Sequence, residues 1–369
     1  MTALALVVLA PATAVTGTDV ELEVRRVQPG AVVRLHQRRD GAWRRVGRDR
    51  AGRTGRANFS LRMRRRGRYV LRAHSGGRRS PPVRIRSRYL TLAAVGDINL
   101  GNGPGAYMQR HGYRYPWRRV APALRAADIA FGNLECAVSR RGSPVPKQYN
   151  FRGPPAALRR VARFAGFDVL NLANNHSGDY GRRAFLDTLR FTRAFGMTPV
   201  GGGVSRARAL RPRVVTRHGL RVAFVGFSDR LPLSFYATPS RPGIAFASTP
   251  MIRRAVRRAR RRADVVVATF HWGDERSHTA NGRQRLFARA ALRAGAHAVI
   301  GAHPHVLQPR HRLGRRIIAY SLGNFVFSTG GGATSQTGIL RLRLSAGGIE
   351  GMRLRRGRIV AAQPRLHGR

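Results

Sequence analysis

From Tyr89 onward the chain alternates short, unbroken apolar runs with longer stretches that carry one apolar face, and this alternation constrains the fold more than any other feature. The runs are Leu92-Ala-Ala-Val, Asp128-Ile-Ala-Phe, Val169-Leu-Asn-Leu, Val222-Ala-Phe-Val, Val265-Val-Val-Ala, Ala298-Val-Ile and Ile317-Ile-Ala-Tyr. A strand covered on one side alternates apolar with polar residues, so a run without that break reads as a strand buried on both faces. Between them the spacing predicts helices over 154–164, 182–195, 250–262 and 283–294. In the last, Leu286, Phe287, Ala290, Ala291 and Ala294 make one apolar face and arginines the other. Strands alternating with helices imply an α/β architecture over 89–345. Beyond Ser328 a Gly-rich loop leads into the half-exposed alternation Ile339-Leu-Arg-Leu-Arg-Leu. In the segment 346–369, a strand over 348–360 closes a hairpin and the last nine residues are expected to fray.

Residues 18–88 have a different texture. Apolar residues alternate in Val20-Glu-Leu-Glu-Val, Ala31-Val-Val-Arg-Leu, Ala57-Asn-Phe-Ser-Leu and Tyr69-Val-Leu-Arg-Ala, separated by Gly-rich or charged turns. This spacing predicts a small all-β module of the immunoglobulin-like sandwich kind, with nothing catalytic in it. His36 and His74 lack partners at ligand spacing and read as surface residues. Residues 1–17 hold an apolar stretch ending in Ala12-Thr-Ala. They read either as a secretory leader lacking its basic start or as a first strand of the module. The leader reading implies export. No stretch is long and apolar enough to span a membrane as a helix.

The chemistry is placed by where polar residues fall. Five apolar runs end in groups of metal-ligand type: Gly96-Asp97-Ile-Asn99, Gly132-Asn-Leu-Glu135, Ala173-Asn-Asn175-His176, His271-Trp-Gly-Asp-Glu275 and Gly301-Ala-His303-Pro-His305. In open α/β sheets, ligands bind beyond the carboxyl ends of the strands, so these groups are expected to converge on one crevice. Any one of them has a plain structural reading as a turn or a cap. Five at five strand ends do not. Carboxylate, amide oxygen and imidazole together suit borderline divalent ions such as Zn, Mn or Fe. His111, His218, His278, His297 and His311 fall on loops or helix ends, where a surface or satisfied-polar role is expected.

The formal net charge of +54 invites a nucleic-acid reading. Of the 70 basic residues, however, only Lys147 is lysine, and the 69 arginines are spread over every segment. Polyanion binding gives no reason to exclude lysine, whereas a coding bias toward arginine does so everywhere, so no specific nucleic-acid partner is expected. Cys136 is the single cysteine, which excludes an intrachain disulfide and any Cys-pair metal site. Its place beside Glu135 suggests a buried, inert thiol.

With these residues in view, the stretch from Leu90 to Phe327 resembles the CapA family, named for poly-γ-glutamate capsule synthesis and similar in fold to calcineurin-like metallophosphoesterases. The resemblance is carried by Gly96-Asp-Ile-Asn-Leu, Gly132-Asn-Leu-Glu, Tyr149-Asn-Phe-Arg-Gly-Pro-Pro, Gly166-Phe-Asp-Val-Leu-Asn-Leu-Ala-Asn-Asn-His and Asp179-Tyr-Gly. It continues through His271-Trp-Gly-Asp-Glu, Gly301-Ala-His-Pro-His-Val-Leu-Gln-Pro and Tyr320-Ser-Leu-Gly-Asn-Phe-Val-Phe. It implies a four-layer α+β sandwich and a site for one or two divalent ions. Asp97 and His305 would hold one ion, Asn175, His271 and His303 a second. Glu135 stands where phosphoesterases carry a bridging aspartate, and His176 would protonate a leaving group.

Two departures from the phosphoesterase pattern follow. Asn99 stands where a ligand histidine is usual, and an amide oxygen is a poorer ligand for a transition metal. Glu135 is longer than the aspartate it replaces. Beyond the resemblance, Arg152 is a candidate for gripping a phosphate or γ-linked carboxylate. Glu275 is a candidate general base or orienter of His271, and Asn324 is a candidate to line the crevice. The expected function is a metal-dependent hydrolase acting on a phosphoester or an envelope polymer. The alternative is a cell-surface protein that binds or hands on an anionic polymer without cleaving it.

Overall fold

The computed structural model describes residues 5–230 and 232–368, and the chain divides into two compact units. The first comprises the described residues up to Leu90 with 216–220 and 345–347. Its N-terminal part is built of strands in two sheets. One sheet joins Val7–Leu9, Asp19–Arg25 and Ala57–Arg62. The other runs in the order Thr13–Val15, Val83–Arg88, Gly67–Ser75, Val32–Arg39, Ala42–Arg50. Alternate residues point inward, so Leu22, Val24, Val33, Leu35, Leu71 and Ile85 form one core.

Where it is described, the stretch offered as a leader or a first strand forms strands Val7–Leu9 and Thr13–Val15, with Leu6, Val8 and Ala14 buried in that core. Its first four residues lie outside the described residues. His36 and His74 are not ordinary surface side chains. Antiparallel pairing of their strands brings the two rings to 4.3 Å between centroids, with His36 Nδ1 and His74 Nε2 buried. Spacing along the chain does not reveal neighbours that lie across paired strands.

The second unit, from Thr91 onward apart from the two segments just named, is mixed α/β, as the alternation requires. Its first sheet has the order Thr198–Val200, Val169–Asn171, Ile129–Leu134, Leu90–Ile98, Gln336–Ser345, Gly348–Val360, Gln363–Leu366, with Asn324–Val326 also paired to Leu90–Ile98. The second runs Arg213–Arg217, Leu220–Ser228, Val265–His271, Ala298–Ala302, Arg316–Ala319, Arg310–Leu313. The central pairs in each are parallel.

Each sheet has its own apolar layer against helices. Val95, Ala130 and Leu170 pack with Leu158, Phe185 and Leu189. Val225, Val266 and Val299 pack with Ile252, Val256, Phe287 and Ala291 of helices Thr249–Arg260 and Gly282–Arg293. The opposite faces of the sheets meet each other, with Phe131 stacked on Phe224 at 5.8 Å. This double burial is why the strands read as unbroken apolar runs.

Helix Gly282–Arg293 begins at a reciprocal Asn281/Gln284 cap. Leu286, expected on its apolar face, is exposed, because the face turned inward is centred on Phe287 and Ala291. Helix Asn102–His111 was not foreseen, its apolar pattern being weak. Within the segment expected to fray, Gln363–Leu366 is instead a strand that pairs antiparallel with Gly348–Val360 and completes the first sheet. Among the described residues no helix is long and apolar enough to cross a membrane.

Candidate metal centre

The parallel strands end together, and their ends bring distant residues into one cluster. Asp97 lies in strand Leu90–Ile98, Glu135 follows Ile129–Leu134, and Asn175 and His176 follow Val169–Asn171. His271 is the last residue of Val265–His271, and His303 and His305 follow Ala298–Ala302. The backbone is packed closely here. A Cβ on Gly96 would sit 1.8 Å from the carbonyl oxygen of Gly323, and one on Gly301 would sit 1.9 Å from that of Tyr320. His303 and His305 have φ of 95° and 57°. Such left-handed conformations cost a side-chain-bearing residue about 1–3 kcal/mol each, and they persist where the surroundings enforce them.

Glu135 is the centre of the arrangement. His271 Nε2 is 3.2 Å from its Oε1, and the Nε2 atoms of His176 and His305 are each 4.0 Å from the same oxygen. His271 Nε2 also lies 2.7 Å from Asn175 Oδ1 and 3.1 Å from His303 Nδ1. His305 Nδ1 is 3.4 Å from Asp97 Oδ2 and 2.8 Å from Asn324 Oδ1. Asp97 is held in turn by Asn133, whose amide donates to its Oδ1 at 2.8 Å, and by the His303 backbone N–H. Ligand atoms of Glu135, His271 and His303 lie within 4.8 Å of one another, as do those of Asp97, Glu135 and His305. Glu135 belongs to both groups.

This donor set fits a divalent cation. Glu135 is fully buried, yet neither of its carboxylate oxygens has a hydrogen-bond partner among the described residues. A buried ionised group without partners is expensive, and a cation between it and the imidazoles removes that cost. Burial pushes the Glu135 carboxyl well above its usual range, and the facing Asp97 carboxylate adds to the rise. Burial, reinforced by neighbouring imidazoles, holds His271 and His303 well below the usual histidine value. They are therefore neutral, the form in which imidazole ligates. Burial alone would lower His305 as well, but Glu135 and Asp97 overcome it and raise it to about 10.

His176 stands at the edge of the cluster. Its Nδ1 is 2.6 Å from Asp179 Oδ2, which leaves Nε2 facing Glu135, and its ring lies against Phe151 at 4.0 Å between centroids. Burial lowers His176 although Asp179 opposes this. Phe327 covers His305 at 4.9 Å and meets Phe151 edge-on, so two aromatic rings shield this side.

The remaining expected residues are placed less centrally. Asn99 is buried with its amide oxygen engaged by the Gly101 N–H at 2.8 Å, a local turn contact. Arg152 turns its guanidinium over the Tyr180 ring at 4.1 Å and donates to Gly142 O. Glu275 is exposed and lies within 4.8 Å of the ligand atoms of His303 and His305, rather than orienting His271, whose Nδ1 faces Asn133 at 3.2 Å. Cys136 is buried, its thiol pushed up to about 12 by desolvation. His297 accepts the Val266 N–H, a satisfied polar role.

Sequence reasoning gave no role to Asn133, Phe151, Asp179 or Lys147. Asp179 lay inside a quoted motif. Lys147 does carry a signal: it is the one lysine in a chain that otherwise uses arginine.

Fold and cluster define an α/β protein with a metal-ligand-type site at the carboxyl ends of its strands. Residues 91–329 match the family model described as "Bacterial capsule synthesis protein PGA_cap", and the chain belongs to that family. It is 33% identical over 276 residues to the "Capsule biosynthesis protein CapA" of Bacillus anthracis, covering 72% of this chain and 67% of that one. It is 32% identical over 284 residues to the "PGA biosynthesis protein CapA" of Bacillus subtilis, covering 74% and 73%. A "Probable polyglutamine synthesis accessory protein" of Mycobacterium tuberculosis is 28% identical over 234 residues, covering 58% and 60%.

Proposed function

We propose that the second unit, a metallophosphoesterase-like sandwich, is a metal-dependent hydrolase serving poly-γ-glutamate or another envelope polymer. The observation that carries this reading is Glu135: a buried carboxylate with no hydrogen-bond partner among the described residues, surrounded by imidazoles. Asp97 and His305 would hold one ion and Asn175, His271 and His303 a second, with Glu135 between them. A divalent ion of the Mn, Zn or Fe type supplies positive charge against the negative charge that develops on a phosphoryl or carbonyl oxygen.

The chain's own groups do the rest. Asp179 fixes His176 so that Nε2 faces the centre, placed to give a proton to a leaving group. Phe151 and Phe327 keep water from that side. Glu275, exposed beside His303 and His305, is the candidate base. The relatives' names, a capsule and a PGA biosynthesis protein, support a capsule-polymer setting at the cell envelope; export, and a spacer or tether role for the immunoglobulin-like module, belong to the same proposal.

The test is to purify the chain, quantify bound metal, and assay aryl phosphate esters and poly-γ-glutamate with Mn or Zn. Turnover that disappears in a His271→Ala/His303→Ala double variant is expected. Stoichiometric metal without turnover of either substrate class refutes the hydrolase. A second reading, a surface protein that binds an anionic polymer without cleaving it, is favoured by the charge of +54. It wins if polymer-related function survives the double variant.

A further inference from the structure

The 69 arginines show that nearly every basic position in this chain is compatible with a guanidinium. Lys147 is the exception, and it is the cation that touches the loop carrying Asn175, His176 and Asp179. Its Nζ donates to Asp179 Oδ1 at 2.7 Å and to the Asn175 carbonyl oxygen at 2.8 Å, and lies 3.1 Å from His176 Nδ1. The side chain is only 21% exposed. The segment that carries it is closed on itself, with the Asn150 amide donating to the carbonyls of Val145 and Lys147. It is also tied to the loop, through Val145 N–H to Asp179 O.

These contacts give each Asp179 carboxylate oxygen a donor. Oδ2 takes the Phe151 N–H at 2.7 Å and faces His176 Nδ1 at 2.6 Å, while Oδ1 takes Lys147. A lone pair on Nδ1 facing a carboxylate oxygen at that distance would be repulsive, so Nδ1 carries the proton and Nε2 presents its lone pair to the cluster. The Lys147 ammonium therefore cannot be donating to Nδ1. Its hold on His176 runs through Asp179, and its hold on Asn175 through the backbone.

We infer that Lys147 is a positioning residue, whose ammonium locks the Asn175–Asp179 loop so that Asn175 Oδ1 and His176 Nε2 both face the proposed reaction centre. This rests on the hydrolase reading for its catalytic consequence, though not for its structural one. A compact ammonium at the end of a four-carbon stem reaches two acceptors on one short loop. A guanidinium is longer and offers its donors in a planar fork that suits a single carboxylate edge. Arginine at 147 would keep the charge, lose the anchor on the Asn175 carbonyl and, by pairing with both Asp179 oxygens, compete with His176 Nδ1 for Oδ2.

The experiment uses the full chain with Lys147→Arg and Lys147→Met, folding being checked by circular dichroism and thermal melting. In the metal-free protein labelled with 15N-histidine, His176 is assigned by its loss in His176→Gln. The expected result is an Nδ1–H tautomer in the wild type and a mixture of tautomers in both Lys147 variants. With metal and a turned-over substrate, kcat is expected to fall at least about tenfold in both variants with KM within about twofold, since proton donation by a held imidazole contributes on that scale or more.

An unchanged His176 tautomer in Lys147→Arg overturns the inference, and that variant preserves charge, so it decides even if Lys147→Met does not fold. A raised KM with unchanged kcat also overturns it, because Lys147 would then be gripping substrate. Should the wild type turn nothing over, the hydrolase reading fails alone and the tautomer measurement still decides the role of Lys147.

Discussion

Replacing Glu135 with glutamine separates a metal site from a merely polar core. The carboxylate is fully buried, its oxygens have no hydrogen-bond partner among the described residues, and Asp97 faces it. Leaving a buried polar group unsatisfied costs about 1–3 kcal/mol. Without metal, an amide of the same shape replaces a carboxyl that burial and Asp97 already push toward its neutral form, and can donate toward Asp97, while His305 loses one of its two carboxyl neighbours. The expected net effect in chelator is a melting temperature unchanged or raised by up to about 4 °C, from at most about 2 kcal/mol at about 2 °C per kcal/mol for a unit of this size.

With metal the wild type gains more. At a hundred times the dissociation constant, ligand binding stabilises the wild type by about 2.7 kcal/mol. A variant binding tenfold more weakly gains only about 1.4 kcal/mol at the same concentration. Thermal melts of both proteins in EDTA and in a Mn or Zn series therefore show the larger metal increment in the wild type, by about 1.3 kcal/mol. If Glu135→Gln melts lower than the wild type in EDTA and receives the same increment from metal, Glu135 is an ordinary structural residue and the centre is wrongly assigned.

Three further outcomes follow from the fold. His297 is held near a pKa of about 4, mainly by burial and then by Arg260 and Arg316. The unfolded chain thus binds its proton first, and stability falls with acidification from about pH 6.5 toward 4, by at most about 1.4 kcal/mol per unit from this group. Urea unfolding of His297→Asn across that range should show a shallower loss, and an equal slope would contradict it. Gly96→Ala should destabilise the second unit by more than about 3 kcal/mol, since the added methyl meets a backbone carbonyl that has nowhere to go; near-normal melting would disprove the close approach. Cys136 should resist thiol reagents in the native chain and react stoichiometrically in denaturant, its thiol being buried and raised to about 12; rapid native labelling would refute its burial.

Much of the site was legible because parallel strands must end on the same side of their sheet. Once the apolar runs identify strands, Asp97, Glu135, Asn175, His271, His303 and His305 converge whatever the exact lengths of the helices between them. The fold class was legible for a related reason: burial on both faces leaves a run with no polar interruption. Asn99 and Arg152 could be located but not aimed. Whether the Asn99 amide turned to the cluster or to the Gly101 N–H depends on a single rotamer. Whether Arg152 reached a substrate or the Tyr180 ring depends on a loop whose path no periodicity encodes.

What the sequence determined by itself is the alternation that makes an α/β unit, the all-β texture before it, and the list of polar groups at strand ends. Those are local consequences of side-chain polarity and backbone period. Tertiary structure alone decided that Glu135 has no hydrogen-bond partner among the described residues, that His36 meets His74, and that Lys147 and Asp179 brace His176. Each of these depends on which segments, remote or separated by an irregular loop, are folded against one another. Contacts of that kind arise from the packing of whole elements, and no pattern along the chain spells them out.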